Sequence, residues 1–313
     1  MKTAPSRKNR PQVTKGRFDA PKASLALFAK GFCMGAADVV PGVSGGTMAL
    51  ILGIYEELIR AIKAFDAAFL RLLLQGRFLR ALKSVPYAFL LPLGLGILTA
   101  IFTLARLLGS LLEHHPVAVW SFFFGLVLAS AFVVGCRIKA WSITTAAGLV
   151  LTTAGAFVLV GLVPVHTPET LPFIFLCGAI AICAMILPGI SGSFILVLLG
   201  KYHYILDAVG RMDWLVLAVF TTGTATGILL FVRLLNWLLN RYHEITMAAL
   251  TGLMIGSLRK IWPWKSLVAD LGGDAVVIVN RLPQGFDLEV GMAVGLALMG
   301  SLMVLVLQRL ARQ

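Results

Sequence analysis

Runs of about twenty residues with almost no charge recur along this chain of 313 residues. A helix needs about that length to cross the hydrocarbon core of a bilayer. In hydrocarbon every backbone N–H and C=O must be bonded within the protein, so helices and closed barrels are the spanning structures. Uncharged runs of this length suit helices rather than barrel strands. Composition agrees, with 59% of residues hydrophobic and 13% charged and a mean hydropathy of +0.92. A soluble domain is nearer half apolar and a quarter charged. No large soluble domain fits between the runs. The expected fold class is an all-α integral membrane protein, a polytopic helical bundle.

Two of the runs are broken in the same way. Pro41-Gly42-Val43-Ser44-Gly45-Gly46-Thr47 and Pro188-Gly189-Ile190-Ser191-Gly192-Ser193 each interrupt an apolar stretch. Each proline removes a backbone donor and disfavours helical geometry in the residue before it. The glycines make a tight or left-handed turn inexpensive. Ser24 to Val40 gives about 25 Å of helix, marginal for a crossing, and Thr47 to Ile59 gives about 20 Å. Two short arms around such a break predict a re-entrant hairpin over 24–59, with a twin over 171–207. A tilted helix pair and one broken helix are the competing readings.

The twin belongs to a repeat. Gly31 to Leu58 aligns with Gly178 to Ile205 without gaps, pairing Pro41/Pro188, Ser44/Ser191, Gly45/Gly192, Gly53/Gly200 and Tyr55/Tyr202. Further on, Arg106 pairs with Arg233, Gly125 with Gly252 and Ser130 with Ser257. Repeat 1 is expected over 24–163 and repeat 2 over 171–307, behind a basic, disordered cytoplasmic tail at 1–23. An odd number of crossings after the first hairpin inverts the second half. Two re-entrant hairpins then meet near the midplane, as in many secondary transporters.

The net charge is +13, with eight of the 27 Lys and Arg in the first 30 residues and six more between Arg60 and Lys83. Nucleic acid is a poorer reading of this than the excess of basic residues on cytoplasmic flanks, which also favours an anionic leaflet. Both termini are then cytoplasmic. The exception is the 259–287 link, which carries Arg259, Lys260, Lys265 and Arg281 and falls outside. Cys33, Cys136, Cys177 and Cys183 lie in or beside apolar runs and read as packing residues. No Ser-His-Asp order, phosphate-binding Walker loop or metal-binding His/Cys pattern is present. The chain reads as no enzyme, without a cofactor or metal site. Its oligomeric state is not readable.

Non-helical backbone at membrane depth is tolerated only against protein or a wet cavity. The first amides of each helix after a break have no helical acceptor and sit at the positive end of its dipole, where anions bind. The expected phosphate-binding set is Gly42, Ser44, Gly45, Gly46 and Thr47 in the first turn, with Gly189, Ser191, Gly192 and Ser193 in the second. The bland alternative is that these small residues let two hairpins pack closely. Arg106 and Arg233, lone charges at matched positions, join the set as headgroup contacts; snorkelling to the interface is their alternative. Asp38 precedes the first break, where the second half has Met185. It carries a coupling H+ or Na+, or it bonds the free amides of the turn.

The run GFCMGAADVVPGVSGGTMALILGIYEEL over 31–58 resembles the signature of the bacterial membrane family once called DUF 368. MILPGISGSF over 185–194 resembles that family's second motif. The family is described as polyprenyl-phosphate transporters of the PopT type. The resemblance implies a bacterial inner-membrane flippase that moves undecaprenyl phosphate from the outer to the cytoplasmic leaflet, recycling the lipid carrier of peptidoglycan synthesis. The residues themselves lead to an inverted-repeat transporter with anion-binding turns; the lipid substrate comes from the resemblance. An ion-coupled carrier or channel for a small anion is the alternative. A lateral opening to lipid beside the turns fits a lipid substrate, a closed aqueous funnel a small solute.

Overall fold

The computed structural model describes residues 21–40, 43–165, 167–270, 276–283, 285 and 287–312. Pro41, Gly42 and most of the 1–23 tail therefore lie outside the described residues. The chain is an all-α polytopic membrane protein. Among the described residues four helices are long and apolar enough to cross a bilayer: α6 (Tyr87–His114), α7 (Pro116–Gly135), α12 (Trp214–Arg241) and the Leu288–Arg309 portion of α14 (Leu288–Arg312). Two shorter apolar helices, α8 (Ile143–Leu159) and α9 (Leu171–Ile186), accompany them. Pro116 starts α7 directly after α6, at the first helical position where its missing N–H costs no bond.

The first half opens with α1 (Pro21–Val39), which starts three residues before the expected boundary at 24. It ends at Val39, and α2 (Gly45–Ile51) runs back beside it, bringing Leu52 O within 3.3 Å of Lys30 Nζ. The return arm is not the single helix expected from Thr47 to Ile59. It stops after seven residues, and α3 (Tyr55–Lys63) begins after a three-residue interruption. Gly53 explains the stop: it takes φ +70, a left-handed conformation that closes a helix. Gly53 N then bonds Leu50 O and Ile54 N bonds Ala49 O, at 3.2 and 3.0 Å.

The second half repeats this device. α9 breaks at 187–191, and α10 (Gly192–Leu198) ends at Gly200 with φ +61. Gly200 N bonds Val197 O and Lys201 N bonds Leu196 O, at 2.9 and 2.8 Å. α11 (Tyr202–Gly210) leaves at 104° to α10. The matched Gly53 and Gly200 thus do one physical job, terminating a seven-residue return arm.

The stretch between Arg60 and Lys83 extends past α3 into α4 (Ala67–Leu74) and α5 (Phe78–Ser84). Leu74, Phe78 and Leu79 are exposed there beside Arg71, Arg77 and Arg80, a mixture that suits a membrane–water interface. The 259–287 link, with no strand expected, contains a two-stranded antiparallel ribbon, β1 (Lys265–Asp270) with β2 (Val276–Asn280).

Helix pairing interlocks the halves. α1 packs on α6, and α9 on α12, each within its own half. α13 (His243–Ser257) packs on α8, and α14 on α7, each across the halves. The matched Gly125 and Gly252 sit at these two crossings, where an added Cβ would strike Ala297 O and Leu149 O respectively. Small residues let helix backbones approach this closely in a membrane. The main core accordingly mixes both halves, with Val43, Met48, Ile51 and Ile59 in one cluster with Val232, Met254 and Val304.

Candidate functional site

The two broken helices meet. Pro188 has no N–H and the chain turns away after it, so the last carbonyls of α9 lack helical donors. The first hairpin supplies them. Ser44 Oγ points its single proton toward Met185 O and Leu187 O at 3.1 and 3.2 Å. The Tyr55 hydroxyl donates to Ile186 O at 3.2 Å. In the other direction Gly189 N donates to Thr47 Oγ1 at 3.0 Å. Ser44 and Thr47 are fully buried. Gly46 lies against Ile186 O, which an added Cβ would approach to 2.5 Å. Gly189, at φ +86, lies against Ser257 and Leu253 of α13.

The first turn is closed upon itself. Ser44 Oγ accepts from Gly46 N at 3.1 Å as the N-cap of α2. Asp38 Oδ1 accepts from Gly45 N at 2.6 Å. A carboxylate on an N-terminal amide is a strong, charge-assisted bond, and it is the second of the two arrangements expected for Asp38. Its charge also repels any anion arriving at that turn.

The second turn differs. Met185 stands where the first half has Asp38, and α10 has no side-chain cap. Ser193 is exposed and Ser191 partly so, and their hydroxyls bond each other at 2.7 Å. Of the expected phosphate set, Ser44, Gly45, Gly46, Thr47 and Gly189 gather in the buried junction, Gly192 is buried beside it, and Ser191 and Ser193 face outward. Gly42 lies outside the described residues. Arg106 and Arg233 are not part of this gathering. Arg106 is exposed on α6, and Arg233 Nη1 donates to Leu229 O of its own helix at 3.1 Å.

Three cations whose role was not expected hold the hairpin ends. Arg137 donates to Leu50 O and Ile51 O at 3.1 and 3.3 Å, and Lys30 donates to Leu52 O. Together they occupy the last carbonyls of α2, where the helix dipole favours positive charge. In the second half the buried Lys201 donates to Thr167 O at 2.7 Å. By sequence, Lys30 and Arg137 count among the cytoplasmic flanking charges. The signal that separates them is their place beside a helix stop with glycine in the left-handed conformation.

Residues 34–274 match the family model described as undecaprenyl phosphate translocase-like. The chain is similar to the polyprenyl-phosphate transporter of Vibrio cholerae, 42% identical over 268 residues, covering 85% of this chain and 87% of that protein. It is similar also to the polyprenyl-phosphate transporter of Staphylococcus aureus, 31% identical over 253 residues, covering 75% of this chain and 84% of that one. No solved structure matches. With both sequence motifs of the junction inside the matched region, the chain belongs to the undecaprenyl phosphate translocase-like family.

Proposed function

We propose that this chain is a transporter and not an enzyme, and that it carries a polyprenyl phosphate such as undecaprenyl phosphate across the bacterial inner membrane. The direction is from the outer to the cytoplasmic leaflet, returning the lipid carrier used in cell-envelope synthesis. The substrate class rests on the two relatives' names and the family. The observation that carries the mechanism is the junction, where two interrupted helices from different halves complete each other's hydrogen bonds. Irregular backbone of this kind lines the substrate path in other transporters.

In this reading the repeats, 24–163 and 171–307, are inverted, the hairpins are re-entrant from opposite leaflets, and both termini are cytoplasmic. Ser44 and Thr47 hold the hairpins together. Ser191, Gly192 and Ser193 form the more open turn and meet the phosphate. Arg106 and Arg233 contact the headgroup nearer the two faces while the isoprenoid tail stays in lipid. Asp38 is the candidate carrier of a coupling H+ or Na+, because its carboxylate sits on the first turn where the second half has Met185. The test is reconstituted flipping of undecaprenyl phosphate in liposomes, with and without pH or Na+ gradients. Flipping above protein-free liposomes is expected. Wild-type protein that is inserted and folded but leaves the lipid distribution unchanged under every gradient refutes the reading.

A further inference from the structure

A cavity of about 750 Å3 lies beside the second hairpin. The end of α8, α10, the end of α13 and the β-ribbon wall it. Three cations line it: Arg259, Lys260 and Lys265. No carboxylate does so among the described residues. Each cation is held in place by neutral groups. Arg259 Nη1 donates to Phe157 O at 2.9 Å, with the guanidinium 4.5 Å from the Phe157 ring. Lys260 Nζ stands 4.5 Å from the Phe194 ring centre. Lys265 Nζ stands 3.9 Å from that of Trp120 and donates to Lys260 O at 2.6 Å. All three side chains are partly buried.

Rings and carbonyls orient a cation but do not neutralise it. Burial lowers the affinity of Lys260 for its proton. For Lys265, burial and then the charge of Lys260 bring the pKa down to about 7. Among the described residues the site is thus short of negative charge, and it stands in the link that breaks the cytoplasmic bias of the basic residues. The rim on the other side is apolar and open, with Phe157, Leu162, Val163 and Ile255 between 37% and 51% exposed. A ligand that satisfies both parts has a compact anionic head and an apolar tail. A phosphate monoester brings close to two negative charges and three acceptor oxygens, and the planar Arg fork fits two of them at once.

We propose that this cavity is a binding site for the phosphate of a lipid monophosphate, with Arg259, Lys260 and Lys265 as its ligands and the tail leaving over the apolar rim. The proposal rests on the polyprenyl-phosphate reading for the identity of the lipid. It places headgroup capture beside the second hairpin, on three residues outside the repeat motifs.

The test uses the full chain in nanodiscs of neutral lipid, with farnesyl phosphate as the probe and farnesol, inorganic phosphate and phosphatidylglycerol as competitors. Saturable binding of farnesyl phosphate is expected, weakened at least tenfold in Lys260→Gln/Lys265→Met. The methionine keeps the stem on Trp120 and removes the charge. Arg71→Gln, exposed on α4, is the control and is expected to bind as wild type. A second measurement needs no variant: farnesyl phosphate should slow amine acylation of Lys260 and Lys265 in the wild-type protein, while farnesol should not. If the double variant melts and binds as wild type, or acylation is unprotected while farnesyl phosphate binds, the cavity assignment is overturned and the substrate reading stands. If wild type binds inorganic phosphate here but no farnesyl phosphate, the lipid assignment and the substrate reading both fail. Equal competition by phosphatidylglycerol overturns the monoester and leaves an unselective anionic-lipid site.

Discussion

Adding one methyl group at Gly46 should separate the two hairpins. In Gly46→Ala the new Cβ would lie 2.5 Å from Ile186 O, against about 3.4 Å where ordinary contact begins. The obstacle is backbone, so the hairpins must part by about 0.9 Å, the difference between those two distances. The junction bonds now span 3.0 to 3.2 Å, and that displacement carries them past hydrogen-bonding range. Two hydroxyl donors, Ser44 and Tyr55, are lost, each worth about 0.6 kcal/mol between helices in a membrane. The buried Gly189 amide is left without its partner, which costs about 1–3 kcal/mol more. Alanine's better helix propensity returns at most about 1 kcal/mol, so the net loss is roughly 1–4 kcal/mol. The assay is thermal unfolding in detergent followed by tryptophan fluorescence, paired with reconstituted flipping. A fall in melting temperature of roughly 5–10 °C is expected on the scale of folded domains, with transport crippled. Gly109→Ala, where an added Cβ meets nothing within 4 Å, is the control. Should Gly46→Ala melt and transport like the parent protein, the junction is not the close contact described.

Other outcomes follow from the same geometry. Thr47→Val keeps the shape but removes the acceptor for Gly189 N, so it should lose about 1–3 kcal/mol while Thr47→Ser stays near wild type in the same melt. Arg137→Gln strips a charged donor from Leu50 O and Ile51 O, so amides of residues 45–54 should exchange faster, at a cost of about 2 kcal/mol. The wild-type affinity for farnesyl phosphate should fall as pH rises through about 7, because Lys265 is protonated below that value and neutral above it. Arg259 and Lys260 face the same cavity and keep part of the binding, and Lys265→Met should flatten that part of the pH profile.

Much of this arrangement was legible in the sequence because its causes are local. Proline and glycine in an apolar run mark a helix break wherever they fall, and the described helices stop at Val39 and Ile186 and resume at Gly45 and Gly192, on either side of the two motifs. The match of Gly53 with Gly200 was visible too, but its meaning was not, since a glycine in an apolar helix is as often a packing residue as a stop. Pairing across the halves was not legible. Gly125 and Gly252 announce a close helix contact without naming the helix that comes close. Charges were the hardest to place. Lys30 and Arg137 have the flanking positions that orientation in the membrane already explains, so nothing set them apart as caps. Arg106 and Arg233 drew notice by their symmetry, yet the structure leaves one exposed and the other bonded to its own helix. Arg259, Lys260 and Lys265 stood out only as an exception to the charge bias.

The exchange of partners between α7 and α14, and between α8 and α13, has a mechanical consequence. Two halves that each clasp a helix of the other cannot rock apart as separate bodies without opening both clasps. We predict a stationary scaffold in which the short arms and their turns do the moving. A cysteine bridge locking α7 to α14 should then leave flipping intact, whereas one locking α2 to the end of α9 should stop it; the opposite pattern would point to whole-half rotation.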